Sequence, residues 1–192
     1  MLATDLPSRA PDLWASATRS PFLDAVRDGT LPAGWFDTWL AQDALFVADL
    51  LRFQARLLAR APRPAQAVLA GGAVALVEEL AWFEQLAEQR GLDLDADPLP
   101  ATRGYADLLQ RMDAAPYADA VAALWVVEKA YLDAWTSALP GAAAYRELVE
   151  HWTSPGFAEY VQALERLTGP ADEALLTDVL RQEAAFWRMT LA

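Results

Sequence analysis

An all-α fold, built as a compact multi-helix bundle, is what this sequence predicts, on three observations. No stretch alternates apolar and polar residues with β-branched enrichment, and Ile does not occur at all in the 192 residues. Apolar-periodic segments are punctuated by Pro and Gly, which favour the beginnings and ends of helices respectively. The apolar fraction is 55% with eight Trp, enough for a large buried core and far from the composition of a disordered chain.

A first helix is expected over 10–18 and a short second one over 21–28. A long helix follows over 32–60, with Pro32 at its start and Ala61-Pro62 at its end. The next covers 64–90 and stops at Gly91, before a loop over 92–100 rich in Asp and Pro. This loop is the one irregular segment long enough to act as a rim or lid, although a plain connector is the simpler reading. A short helix over 102–112 leads to one over 116–139, bounded by Pro116 and by Pro140-Gly141. Two more are expected over 142–152 and 155–167, and a last over 170–190 begins at Pro170. No internal repeat or low-complexity linker interrupts this order, so one domain over 1–192 is expected.

Charge narrows the function. A formal net charge of −12 opposes binding to nucleic acid, which needs clustered Lys and Arg, and to an anionic membrane surface. No uninterrupted apolar run approaches the roughly 20 residues that span a bilayer. The start, MLATDLPSRA, lacks the basic and apolar regions of a secretory signal, and a cytoplasmic location is the expectation. There is no Cys, which removes disulfides, thiolate metal sites and a thiol nucleophile.

The chemistry that remains lies in carboxylates. On a helix, positions three, four and seven residues away share a face, so a carboxylate with apolar neighbours at those offsets points inward. Asp43 is surrounded in this sense by Phe36, Trp39, Leu40, Phe46, Val47 and Leu50, and Glu128 by Val121, Leu124, Trp125, Tyr131, Leu132 and Trp135. Glu183 has Leu176, Val179, Leu180, Phe186 and Trp187, with Thr190 the exception; Glu79 has Gly72, Ala75, Leu76, Trp82, Phe83 and Leu86. Glu78 and Glu84 also score mostly apolar in so Ala-rich a chain, whereas Asp49, Asp107, Asp133, Glu159 and Glu165 see polar neighbours. An isolated buried carboxylate costs several kcal/mol unless it is paired, hydrogen-bonded or protonated. Three or more on separate helices therefore point to a polar pocket, against the plainer reading that each finds its own partner across the bundle.

Other constellations fall away. Di-iron chemistry needs two Glu-x-x-His motifs, and the chain has a single His, His151. That residue alone is a poor basis for haem, no nucleophile elbow is present, and Gly71-Gly72 within an apolar helix fits close helix packing better than a phosphate loop. No metal and no cofactor are expected. Carboxylates, tyrosines and tryptophans suit an amine-bearing aromatic or cationic ligand and not a phosphorylated one.

Several short segments stand in a recognisable order. The first are Trp14, Ser20-Pro21-Phe22, Asp28-Gly29-Thr30-Leu31-Pro32, Phe36 and Leu40-Ala41-Gln42-Asp43. Pro100-Ala101-Thr102-Arg103-Gly104-Tyr105, Ser154-Pro155-Gly156-Phe157 and Glu183-Ala184-Ala185-Phe186-Trp187 follow, and together these segments resemble the N-terminal pattern and later landmarks of the TenA (thiaminase II) family. The resemblance spans nearly the whole chain. It implies the helical haem-oxygenase-like fold without haem, and hydrolysis of aminopyrimidines in thiamine salvage. It also implies that Asp43 holds the amino group and ring nitrogen of the pyrimidine, that Phe46 stacks on the ring, that Tyr105 is the pocket tyrosine and that Glu183 donates a proton.

Two departures matter. The segment that carries the family's catalytic Cys is here Leu124-Trp125-Val126-Val127-Glu128-Lys129-Ala130-Tyr131, and a tyrosine of the family's pocket is replaced by Trp152. Both resemble the Cys-less branch, in which Glu128 takes over. The expectation is a hydrolase of a C–N bond in an aminomethyl- or formamidomethyl-pyrimidine, with water attacking in place of a thiol. Glu128 would be the base and Glu183 the acid, with one pKa raised and the other carboxylate ionised. Tyr105, Phe46 and Trp125 or Trp135 would form walls, and Tyr131, Glu79 and Trp152 would complete the substrate-binding set. Asp43, Glu128 and Glu183 are expected to line one internal cavity with Tyr105. A non-catalytic binder of a thiamine-related or planar cationic ligand is the alternative, and a cofactor-free oxidase like those of pyrroloquinoline quinone synthesis is a third reading. A homo-oligomer, dimer or tetramer, is expected from the apolar excess and from the family's habit.

Overall fold

A computed structural model describes residues 1–189. The chain begins with a 3-10 turn, Ala3–Asp5, and a single helical turn α1, Leu6–Arg9. Helices α2 (Pro11–Thr18), α3 (Pro21–Asp28), α4 (Trp35–Ala59), α5 (Arg63–Arg90) and α6 (Pro100–Ala114) follow. The second half holds α7 (Tyr117–Ser137), α8 (Arg146–Trp152), α9 (Pro155–Glu165) and α10 (Glu173–Arg188). Among the described residues there is no strand, only a bridge between Leu2 and Pro170.

Local chemistry places most boundaries. Ser20 accepts from the Leu23 amide at 3.2 Å and opens α3, which Gly29 closes at φ 71°. Asp172 caps α10 through the Ala174 amide at 3.0 Å, and Gly91 closes α5 at φ 67°.

Three starts differ from the sequence expectation by three or more residues. The long helix over 32–60 begins at Trp35, because Gly34 takes the left-handed conformation at φ 82° after a turn from Pro32. Residues 142–145 form a turn, closed by the Tyr145 amide on the Ala142 carbonyl at 2.8 Å and tied to α3 by the Ala142 amide on the Val26 carbonyl at 3.2 Å, and the helix starts at Arg146. The last helix begins at Glu173, since Pro170 and Ala171 pair with the N-terminus: the Met1 ammonium donates to the Ala171 carbonyl and the Ala171 amide to the Met1 carbonyl, both at 2.8 Å. Its expected end at 190 lies outside the described residues.

The helices share one hydrophobic core. Helix α4 lies against α5 and α6, α10 against α2, α6 and α7, and α7 against α9. At its centre Trp39, Trp135, Trp152 and Trp187, from α4, α7, α8 and α10, cluster with ring centroids 4.3 to 5.8 Å apart. Gly72 of α5 is where α9 comes closest: any Cβ there would collide with Tyr160 and Gln54, whereas Gly71 has open space at the same point. Helix α5 is long and apolar enough to cross a membrane by length and composition alone, with mean hydropathy 1.3 over its most apolar window, of which 22% is buried. It sends Leu69, Leu76 and Phe83 into the core and exposes Val74 and Val77.

The loop over 92–100 is a connector. Buried Gln42 holds it, donating to the Asp97 carbonyl at 3.2 Å and accepting from the Leu99 amide at 2.8 Å and the Thr102 hydroxyl at 2.6 Å. None of its residues borders the cavity described next.

Candidate active site

A cavity of about 730 Å³ opens between α4, α5, α7 and the α8–α9 corner. Its inner end is lined by Phe46, Leu76, Glu79, Glu128, Tyr131 and Trp152, and its outer end by small residues including Gly71, Ala75, Gly156 and Ala163. Glu78, Glu159 and Arg166 stand exposed at its mouth.

Four carboxyl groups converge at the inner end, from four different helices. Asp43 is fully buried on α4, with Oδ2 accepting from the Tyr131 hydroxyl at 3.1 Å and Oδ1 without any partner. Glu183 of α10 accepts on Oε1 from the Tyr105 hydroxyl of α6. Glu79 accepts from the Trp152 indole nitrogen at 2.7 Å. Glu128 of α7, 6% exposed, has no hydrogen-bond partner among the described residues.

Burial is the main force on all four, because a low-dielectric interior penalises the charged form. It lifts Glu128 and Glu183 from the ordinary 4.5 to about 8 and Glu79 to about 7. Asp43 is pushed well above the carboxylate range by burial and then by repulsion from Glu79. Repulsion from Glu79 and Glu183 adds to the rise at Glu128, whereas the Tyr105 hydrogen bond opposes it at Glu183. The expectation of one raised and one ordinary glutamate is thus replaced by two raised ones, since neither has a cationic partner and both are buried. The Tyr105 bond also favours the ionised form of Glu183, opposite in sense to a resting proton on that residue.

The sequence-derived candidates divide into three groups. Phe46, Glu79, Glu128, Tyr131 and Trp152 border the cavity itself. Asp43, Tyr105 and Glu183 lie one side chain behind the wall and not, as expected, on it: Tyr131 stands in front of Asp43, and Phe46 packs on Tyr105 with centroids 4.2 Å apart. Trp135 stacks on Trp152 at 4.3 Å and supports the wall from behind, while Trp125 is buried and does not reach the cavity. Helical offset placed Trp125 beside Glu128, but its longer side chain lies elsewhere in the core.

Four residues escaped the sequence reading. His151 lines the cavity while its ring stacks on Trp82 at 3.9 Å, and burial lowers its pKa. Phe157 and Tyr160 of α9 form the opposite wall, and Gln54 fixes Tyr160 from α4. The apolar stripe on α4 that exposed Asp43 could have flagged Gln54, a buried polar residue on the same helix. Among the described residues no group of three or more His, Cys, Asp or Glu side chains is arranged to hold a metal ion.

Fold and site together define a haem-oxygenase-like helical protein whose interior is a carboxylate-lined aromatic cavity. Its affiliation follows from comparison: the model of the TENA/THI-4/PQQC family matches residues 8–191, and the chain belongs to that family. A probable bifunctional TENA-E protein of Glycine max is 32% identical over an alignment of 201 residues, covering 93% of this chain and 88% of the relative. A TenA homologue from Pyrococcus furiosus superposes with a TM-score of 0.91 at 26% identity, covering 99% of this chain and all of the other. A putative TenA-like thiaminase from Sulfolobus solfataricus shares the fold with a TM-score of 0.85 at 18% identity, covering 98% and 94% of the two chains.

Proposed function

We propose that this protein hydrolyses a C–N bond of an aminomethyl- or N-acylaminomethyl-pyrimidine derived from thiamine. The observation that carries this reading is Asp43 Oδ1, a fully buried carboxyl oxygen with no partner beside three further carboxyl groups. A buried acceptor without a donor costs about 1–3 kcal/mol, and more if charged, and a ligand offering N–H groups removes that cost. The TENA/THI-4/PQQC affiliation supports the same ligand class.

The proton inventory closes without a thiol. Near pH 8 the pair holds about one proton, and the Tyr105 bond favours placing it on Glu128 and leaving Glu183 ionised. An amine-bearing substrate against Glu128 draws that carboxyl into its charged form, and the displaced proton passes to Glu183. Glu128 then takes a proton from water as the water oxygen bonds to the acyl carbon of the acylated substrate, or to the methylene carbon of the aminomethyl one. The C–N bond breaks as a proton from Glu183 reaches the departing nitrogen, releasing the carboxylic acid and the aminomethylpyrimidine, or ammonia and the hydroxymethylpyrimidine, and restoring the starting protonation of the pair. Phe46 would face the ring, and Asp43 would anchor its amino group once the Tyr131 side chain in front of it moves aside.

We further propose that the protein is a homo-oligomer and that the exposed apolar face of α5 around Val74 and Val77 takes part in the contact. Chromatography of reactions with 4-amino-5-aminomethyl-2-methylpyrimidine and its N-formyl derivative tests the function, with Glu183→Gln as control. Tight binding of both compounds with no product would replace the hydrolase with a binding protein.

A further inference from the structure

The proposed pyrimidine fills only part of the cavity. A cavity of about 150 Å³ holds a benzene ring, so one substituted ring at the inner end leaves most of the roughly 730 Å³ unoccupied. What remains is an outer chamber between α5 and α9, widened by Gly71, Ala75, Gly156 and Ala163 and carrying one buried polar device, the Gln54–Tyr160 pair.

The hydrogen-bond directions in that device are fixed. Gln54 is 0% exposed, and its Nε2 donates to the Leu69 carbonyl at 2.9 Å, which can only accept. Its Oε1 therefore faces Tyr160, and the Tyr160 hydroxyl donates to it at 3.2 Å. The tyrosine hydrogen is thus committed to the protein, and its oxygen is left with acceptor capacity alone. Gly72 lets this pair seat against α5, since any side chain there would occupy the place of both Gln54 and Tyr160. Tyr160 and Glu128 border the same cavity, which joins the chamber to the reacting end of the site.

Resting on the pyrimidine reading, we propose that this outer chamber is a second subsite. It takes a substituent on the scissile nitrogen that is mostly apolar, several heavy atoms long, and ends in an N–H or O–H donor directed at Tyr160 Oη. A terminal carboxylate or phosphate is disfavoured, because Tyr160 offers no hydrogen to it and Glu78 and Glu159 flank the mouth.

Calorimetric binding to the intact protein tests this with three probes: 4-amino-5-aminomethyl-2-methylpyrimidine, its N-butanoyl derivative and its N-(4-hydroxybutanoyl) derivative. Gly71→Leu fills the chamber from an exposed helical position where a Cβ meets nothing within 4 Å, so the fold tolerates it. It is expected to weaken both acylated probes tenfold or more and to leave the primary amine within twofold. Tyr160→Phe is expected to weaken the hydroxylated probe about fivefold or more against the butanoyl probe, with circular dichroism confirming the fold. Unchanged binding of both acylated probes in Gly71→Leu, or equal losses for all three probes, overturns the subsite while the pyrimidine reading stands. Failure of the unaltered protein to bind any of the three overturns the pyrimidine reading and the subsite with it.

Discussion

The Tyr105 hydroxyl on α6 donates to Glu183 on α10, and the same tyrosine ring packs on Phe46 at the cavity wall. The contact lowers the pKa of Glu183 against the rise that burial imposes, so it sets how high in pH that residue keeps its proton. Tyr105→Phe is expected to raise the pKa of Glu183. Since Glu183 is the proposed acid, the alkaline limb of kcat/KM should move to higher pH, which a pH–rate profile from 6 to 10 measures. A limb that stays in place separates Glu183 from proton donation.

Both glutamates of the proposed pair have been lifted to about 8. A base must be ionised and an acid protonated, so the free enzyme should show a narrow bell centred near that pH. Glu128→Gln removes the acid limb and Glu183→Gln the alkaline limb, each lowering kcat by roughly 10²-fold or more. Full turnover in the double variant would dispose of the pair.

Folding stability should fall as pH rises from 5 to 8. Each raised carboxyl stays protonated in the folded protein after the unfolded chain has lost its proton, so its contribution is complete below about 4.5 and is lost on approach to the folded value. For Glu128 alone, a rise from 4.5 to about 8 corresponds to a loss on the order of 5 kcal/mol. Thermal melts of Glu128→Gln and Glu183→Gln should show a shallower fall than the unaltered protein. A Tm independent of pH across this window would contradict the burial of these groups.

Asp43→Asn keeps the shape of the side chain and removes its ability to ionise when a ligand binds. Affinity for the aminomethylpyrimidine should drop about 10- to 100-fold, as for loss of a charge-assisted hydrogen bond, while the ligand-free protein becomes more stable at pH 8. Calorimetry and melting of one preparation give both values; unchanged affinity would remove Asp43 from ring recognition.

The face of α5 around Val74 and Val77 carries the expectation of self-association. Val74→Glu with Val77→Glu should sediment as a smaller species than the unaltered protein at micromolar concentration. A monomer before substitution ends that expectation.

Sequence alone determined the helices of the bundle and the inward direction of Asp43, Glu128 and Glu183, because a helix's own apolar stripe reports which way a residue faces. It could not separate Glu79, which reaches the cavity, from Glu84, which is exposed, since Ala-rich neighbours score both alike. Only the tertiary structure decided what stands in front of each inward group. Tyr131 covers Asp43, Phe46 covers Tyr105, and Trp125 never reaches the cavity wall. The same holds for the Tyr160–Gln54 pair, 106 residues apart in sequence, and for the N-terminal turn anchored to Ala171. Local periodicity fixes the face of a helix, but the partner on that face is set by how α4, α5, α7 and α9 cross, which no single helix encodes.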